Sequence, residues 1–233
     1  MIAYQSIAAE QQTSNTKALI FAGDGVRLSG QIDYPSTAPS SDKRQSFPLM
    51  LILPHACHTR DMYQPYADIA LAAGYAVFRY DKRGTGRSGA CARGSVTQDA
   101  VNAYEVALEQ PRIDRKRAVI LAHGSGTGII GNAFGLFARV ERPAGVILMT
   151  NLLDEDAVLA IESPVQIIIA QDDWNPWEKF GKAAAENHAK AYHYEPNYYV
   201  VPNADRLLLK PHPDTQTMPA GLREVITDWL QNR

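Results

Sequence analysis

The sequence predicts an α/β protein with a mostly parallel central sheet flanked by helices. Three observations carry this expectation. Short apolar runs of strand length alternate with stretches of helical period along most of the 233 residues. The run Leu49-Met-Leu-Ile-Leu53 is apolar throughout, as expected of a strand buried on both faces. Ala118-Val-Ile-Leu-Ala-His-Gly-Ser-Gly-Thr-Gly128 carries a buried strand straight into a glycine-rich turn and a helix.

In chain order, Lys17–Ala22 and Val26–Tyr34 read as two strands joined at the turn signal Gly23-Asp-Gly25. Pro35–Ser46, rich in Pro, Ser and charge, reads as an exposed loop before the Leu49–Leu53 strand. Helical spacing over Asp61–Ala73 closes at Gly74, and Tyr75–Tyr80 is the next strand. Asp99–Glu109 is helical, with Ala100, Val101, Tyr104, Ala107 and Leu108 on one face. A strand over Ala118–Ala122 precedes a helix over Thr127–Ala138. Strands over Gly145–Thr150 and Val165–Ala170, a helix over Trp177–Lys190 and a short strand over Tyr198–Val201 follow. Leu222, Val225, Ile226, Trp229 and Leu230 form the i, i+3, i+4, i+7, i+8 stripe of a last amphipathic helix. No repeat or linker divides the chain. The expectation is one domain over 17–233, preceded by a flexible polar segment, 1–16.

Composition narrows the function classes. Hydrophobic residues make up 45% and charged residues 21%, the balance of an ordinary globular protein. A net charge of −2 gives no electrostatic footprint for nucleic acid or an anionic membrane. No apolar run is long enough to span a bilayer, and Met1–Thr16 lacks the basic and apolar regions of a signal peptide. Two cysteines, Cys57 and Cys91, in a chain of this size favour reduced thiols and a cytoplasmic protein.

The stretches Leu51–His58, Ala73–Gly89 and Val165–Asp173 together resemble the α/β-hydrolase fold, and the match runs from about Lys17 to Leu230. Leu51-Ile-Leu-Pro-His-Ala-Cys-His58 is similar to the strand and His-Gly loop that supply half of an oxyanion hole. Ala73-Gly-Tyr-Ala-Val-Phe-Arg-Tyr-Asp-Lys-Arg-Gly-Thr-Gly-Arg-Ser-Gly89 resembles the family's G-Y-x-V-x-x-x-D-x-R-G-x-G-x-S signature. Val165-Gln-Ile-Ile-Ile-Ala-Gln-Asp-Asp173 resembles the strand whose end bears the catalytic acid. The short interval between the Gly145–Thr150 and Val165–Ala170 strands implies a core without a lid.

The resemblance implies a serine, an acid and a histidine in that order, the hydroxyl needing a base and the base an orienting carboxylate. With Ala122 and Gly126 on the small positions of the nucleophile elbow, Gly124 falls on the nucleophile and Ser125 beside it. The acid maps onto Asp173, with Asp172 as the adjacent alternative. Arg206 stands where the histidine belongs, and arginine stays protonated, so it is no general base. An Arg206–Asp173 ion pair is expected to fill the old triad site. The backbone N–H groups of Ser125 and Cys57 are the expected oxyanion donors, since backbone donors do not depend on side-chain identity.

Each sharper reading has a plainer one beside it. Ser125 reads as a displaced nucleophile served by His55, His58, His123 or His212, or, more simply, as the cap of the following helix. His55, Cys57, His58 and His123 read as a converging ligand set, or as loop packing, which their spacing favours over zinc. Gly126-Thr-Gly-Ile-Ile-Gly131 matches a dinucleotide fingerprint, but several strands precede it and no acidic residue closes the unit. Close helix–strand packing explains those glycines better. Asp81, Arg83 and Arg87 read as charges that brace their loop. Trp174 and Trp177 either edge the core or line an apolar pocket beside Asp173.

The function expected is that of a hydrolase-like protein with a rewired site. It takes a small acyl or carbonyl ligand and acts weakly or without a serine nucleophile. The alternatives are an ester or thioester hydrolase using Ser125, and a non-catalytic binding or partner subunit. The sequence calls for no cofactor, metal, nucleic acid or membrane, and leaves self-association open.

Overall fold

In the computed structural model, the described residues are 15–36, 46–90, 92–204, 206, 208, 210–211, 216–219 and 221–233. Cys91 and His212 lie outside them, as does most of the 1–16 segment. Ten strands and five α-helices are assigned among the described residues. Strands β1 (Asn15–Ala22), β2 (Arg27–Tyr34), β3 (Phe47–Leu53), β4 (Ala76–Tyr80), β5 (Ile113–His123), β6 (Gly145–Met149), β7 (Val165–Ala170) and β8 (Tyr198–Val201) form one sheet. Their order is β1-β2-β4-β3-β5-β6-β7-β8. The first two pairings are antiparallel and the rest parallel. The short strands β9 (Lys210–Pro211) and β10 (Gln216–Thr217), not foreseen in the sequence, pair apart from this sheet.

The helices are α1 (Gln64–Ala72), α2 (Val96–Leu108), α3 (Ser125–Val140), α4 (Ala184–Tyr192) and α5 (Leu222–Gln231). Strands β3, β4, β6 and β7 are buried at every position, so both faces must be covered. Tyr66, Ala67, Ile69 and Ala70 of α1 join Leu222, Ile226, Trp229 and Leu230 of α5 in the core of one face. Residues of α2, α3 and α4 join the core of the other, among them Tyr104, Phe134, Phe137 and Ala184.

Element types follow the sequence closely, and boundaries less so. β1 begins at Asn15 rather than Lys17, and β5 reaches back to Ile113 through the charged run Asp114–Arg117. The helix read over Asp61–Ala73 opens as a 3₁₀ turn, Arg60–Tyr63, before α1. The one read over Trp177–Lys190 opens as a π-helical segment, Glu178–Ala183, before α4. Between β6 and β7 lies only loop and a 3₁₀ turn, Ala157–Ala160, so no lid is inserted there.

Beside β2 and β4 sits a buried ionic network. Arg79 Nη2 donates to Asp33 Oδ2 at 2.7 Å, with the two side chains 1% and 7% exposed. Arg79 also donates to Gln64 Oε1 and to the Arg60 carbonyl, while Thr16 and Gln31 donate to the Asp33 carboxylate. Removing one member of such a pair strands the other charge in the interior. Arg79→Leu is therefore expected to cost roughly 3–5 kcal/mol in urea denaturation. A loss under about 1 kcal/mol would show that Asp33 is satisfied by its other donors.

Candidate active site

The chain reverses its direction of travel across the sheet between β3 and β5. From β3 it crosses through α1 to β4 on one side, then through α2 to β5 on the other. Such a switch point leaves a crevice at the carboxyl ends of the two strands. His55 leaves β3 here and Gly124 leaves β5.

Gly124 adopts φ +51°, ψ −113°, a conformation that L side chains rarely take. The turn is pinned on all sides. Gly124 N–H donates to the Met149 carbonyl at 2.9 Å, and its carbonyl accepts from both the N–H and the hydroxyl of Thr127. Gly126 lets α3 approach β3, since a Cβ there would lie 2.5 Å from the Leu53 carbonyl oxygen. A Cβ on Gly131 would meet the Leu153 side chain at 2.6 Å, so two glycines of the dinucleotide-like motif serve packing.

His55 occupies the volume that a side chain on Gly124 would need. A Cβ built on Gly124 would fall 2.2 Å from His55 Nδ1. That same Nδ1 accepts the Ser125 N–H at 3.0 Å, which puts the ring proton of neutral His55 on Nε2. The Ser125 amide, an expected oxyanion donor, is thus already engaged.

The His55 ring belongs to a compact aromatic cluster. Its centroid lies 5.1 Å from that of His58 and 5.6 Å from that of His123, and the latter two are 5.7 Å apart. Tyr63, buried in the 3₁₀ turn, is the hub. Its hydroxyl accepts the His55 backbone N–H at 2.7 Å and lies 2.9 Å from His123 Nδ1 and 3.3 Å from His58 Nδ1. Beside His123, the Arg206 carbonyl accepts from the Thr150 hydroxyl at 2.5 Å. The three histidines pack together, and Cys57 on the same loop is an exposed free thiol in a left-handed conformation (φ +63°). Among the described residues no group of three or more His, Cys, Asp or Glu is arranged to hold a metal ion.

Burial holds His123 down at about 3, reinforced by the positive charge of His55, His58 and Arg206. His55 is lowered by burial and by the charges of His58, Lys82 and Arg206, and His58 by burial and Lys82. The three rings are therefore neutral bases near pH 7.

Lys82, not singled out in the sequence, is the cation of the site. It follows β4 by two residues, is half-buried, and its Nζ donates to Ser125 Oγ at 3.4 Å. Burial draws its ammonium down to about 8, opposed by the nearby Cys57. The signature around it is structural, as read: Asp81 is buried and accepts the Arg60 and Arg87 backbone N–H groups, and Arg83 pairs with Asp99 at 2.6 Å.

Two expectations are corrected. Ser125 does not cap α3: it is the first helical residue, the cap position is Gly124, and no side-chain cap bond forms. Arg206 does not pair with Asp173 among the described residues; its guanidinium stacks on Trp174 at 4.4 Å. A planar cation gains from an aromatic face, and Trp174, 84% exposed, offers one at the surface. Trp174 is thus no core-edge residue, while Trp177 is half-buried at the start of the π-helical segment. Asp173 Oδ1 accepts the Asn175 N–H, and its buried Oδ2 has no hydrogen-bond partner among the described residues. Asp172 is exposed.

With this geometry in hand, comparison with solved structures is decisive for the fold. A dienelactone hydrolase-like promiscuous phosphotriesterase from metagenomic libraries matches with a TM-score of 0.68 at 13% identity, covering 94% of this chain and 98% of that one. The fold is that of the α/β-hydrolases. Est1E from Butyrivibrio proteoclasticus, solved with ferulic acid, matches with a TM-score of 0.66 at 15% identity, over 92% of this chain and 97% of its own. A CIB-like hydrolase from Thermoplasma acidophilum gives 0.64 at 14% identity, over 94% and 100%. No family model and no curated protein matches the sequence. No helix among the described residues is long and apolar enough to cross a membrane.

Two outcomes are expected. Gly124→Ala evicts His55 from the turn, lowering stability by about 1–3 kcal/mol for backbone strain alone, with the steric cost added. Unchanged denaturation together with an unchanged His55 ring environment in NMR would refute the close approach. Second, an unfolded histidine takes up a proton near 6.5, which folded His123 refuses until about 3. Folding stability thus falls as pH drops through that window, by at most about 1.4 kcal/mol per pH unit for this ring. Urea midpoints between pH 7 and 4.5 should show a shallower slope in His123→Gln than in the parent; equal slopes would contradict it.

Proposed function

We propose that this chain binds a small acyl or carbonyl compound at the Gly124 turn and does not hydrolyse it through a serine–histidine–acid triad. The observation that carries the reading is the position of His55. Its Nδ1 accepts the Ser125 N–H and takes the nucleophile's place, so the ring stands in for the oxygen that such a turn receives. A ligand oxygen displaces the ring and accepts from Ser125, with the Cys57 N–H as the second donor. An oxygen so held is stabilised as negative charge builds on it. The neutral imidazoles of His55 and His58 then accept protons, the requirement of a lyase or isomerase step rather than acyl transfer to serine. The solved neighbour Est1E holds ferulic acid, a compound of this size and class.

One observation favours a second reading, an ester or thioester hydrolase using Ser125. The Lys82 amine lies 3.4 Å from Ser125 Oγ, and a lysine held near 8 can serve as the base of a serine–lysine pair. A fluorophosphonate probe separates the two. No covalent labelling is expected, even at long incubation. Stoichiometric labelling that disappears in Ser125→Ala would establish the hydrolase and overturn the first reading.

A further inference from the structure

We propose that Lys82 is a nucleophilic amine that condenses with an aldehyde or ketone held at the Gly124 turn, forming an imine. The inference rests on the carbonyl-binding reading and names its substrate class. Three observations support it. First, the backbone of Lys82 is fixed: its carbonyl accepts from the N–H of Thr85 at 3.0 Å and from the Thr85 hydroxyl at 2.8 Å. Gly86 follows at φ +50°, packed so closely on Asp81 that a Cβ would fall 2.4 Å from its carboxylate.

Second, the adjacent Arg83 takes the carboxylate of Asp99, whereas half-buried Lys82 has no carboxylate partner among the described residues. A half-buried ammonium without a counter-charge is costly, and the amine form relieves that cost. Third, its surroundings are hydroxyl, imidazole and thiol rather than carboxylate. Ser125 Oγ is at 3.4 Å, the His55 and His58 rings both feel the Lys82 charge, and Cys57 is near enough to oppose the fall in basicity. Desolvation of the amine is what makes a lysine a nucleophile toward carbonyl carbon.

The step balances within the site. The Lys82 nitrogen lone pair attacks the carbonyl carbon, the C–N bond forms as the C=O π bond breaks, and one proton passes from nitrogen to oxygen to give a carbinolamine. The second nitrogen proton is relayed to that hydroxyl, the C–O bond breaks, and water departs as the C=N bond forms, giving imine plus one water. The Ser125 hydroxyl and the neutral rings of His55 and His58 carry the protons. Hydrolysis reverses the sequence and restores the amine.

Reductive trapping tests this on the full chain: benzaldehyde and cyanoborohydride at pH 7, followed by peptide mass mapping. Lys82 should be alkylated on the order of a hundredfold faster than exposed Lys116, because burial leaves far more of the Lys82 amine unprotonated than in a free lysine side chain. Its rate should rise with pH and level off above about 8. Equal labelling of Lys82 and Lys116 would overturn the proposal. Calorimetric titration with benzaldehyde, without reductant, separates this failure from that of the parent reading. Binding without trapping at Lys82 overturns the imine and leaves the carbonyl site standing; no binding overturns both.

Discussion

At Gly124 the backbone passes from strand to helix at φ +51°, ψ −113°, and only hydrogen separates its Cα from the imidazole of His55. The rest of the crevice is arranged around that contact. Because no side chain leaves the turn, the ring can enter it and accept the Ser125 N–H. Because the ring enters, the His55–His58 loop folds inward onto the Tyr63 hydroxyl and brings three imidazoles together. Crowded and partly dry, those rings lose basicity, and Lys82 beside them does too. The Gly124 turn is thus ringed by three imidazoles of lowered basicity and one half-buried amine.

The turn itself is over-determined, which explains how it keeps its shape with no side chain at Gly124. Met149 and Thr127 hold both polar groups of the Gly124 peptide, and Gly126 lets α3 lie against β3. The hydroxyl of Thr127 also accepts the Leu152 N–H, tying the turn to the loop after β6. A glycine here removes the strain that any other residue would bear, roughly 1–3 kcal/mol. The strained strand-to-helix geometry is therefore held at lower cost.

How much of this was legible in the sequence follows from the range of the interactions. Strand β3 and the Ala118–Ala122 part of β5 are readable because burial on both faces forces continuous apolar runs. The elbow is readable because its glycines are local requirements of one turn. Lys82 is hidden inside the loop signature, where nothing in its neighbours distinguishes a basic loop residue from one facing Ser125 across the sheet. The seat of His55 is equally hidden. It depends on a missing Cβ sixty-nine positions away, a relation that no local pattern encodes. The Arg206–Asp173 pair failed for a related reason: matching charge at aligned positions does not compete with an aromatic face already in reach at Trp174.

The central claim is that the His55 ring, rather than solvent, accepts the Ser125 N–H. It is tested most directly by ¹⁵N NMR at neutral pH, measuring the scalar coupling across the hydrogen bond between the Ser125 amide nitrogen and His55 Nδ1. The account predicts a resolved coupling, a Ser125 amide protected from exchange, and loss of both on ligand binding or in His55→Ala. Absence of coupling, with a Ser125 amide that exchanges freely with water, would contradict it.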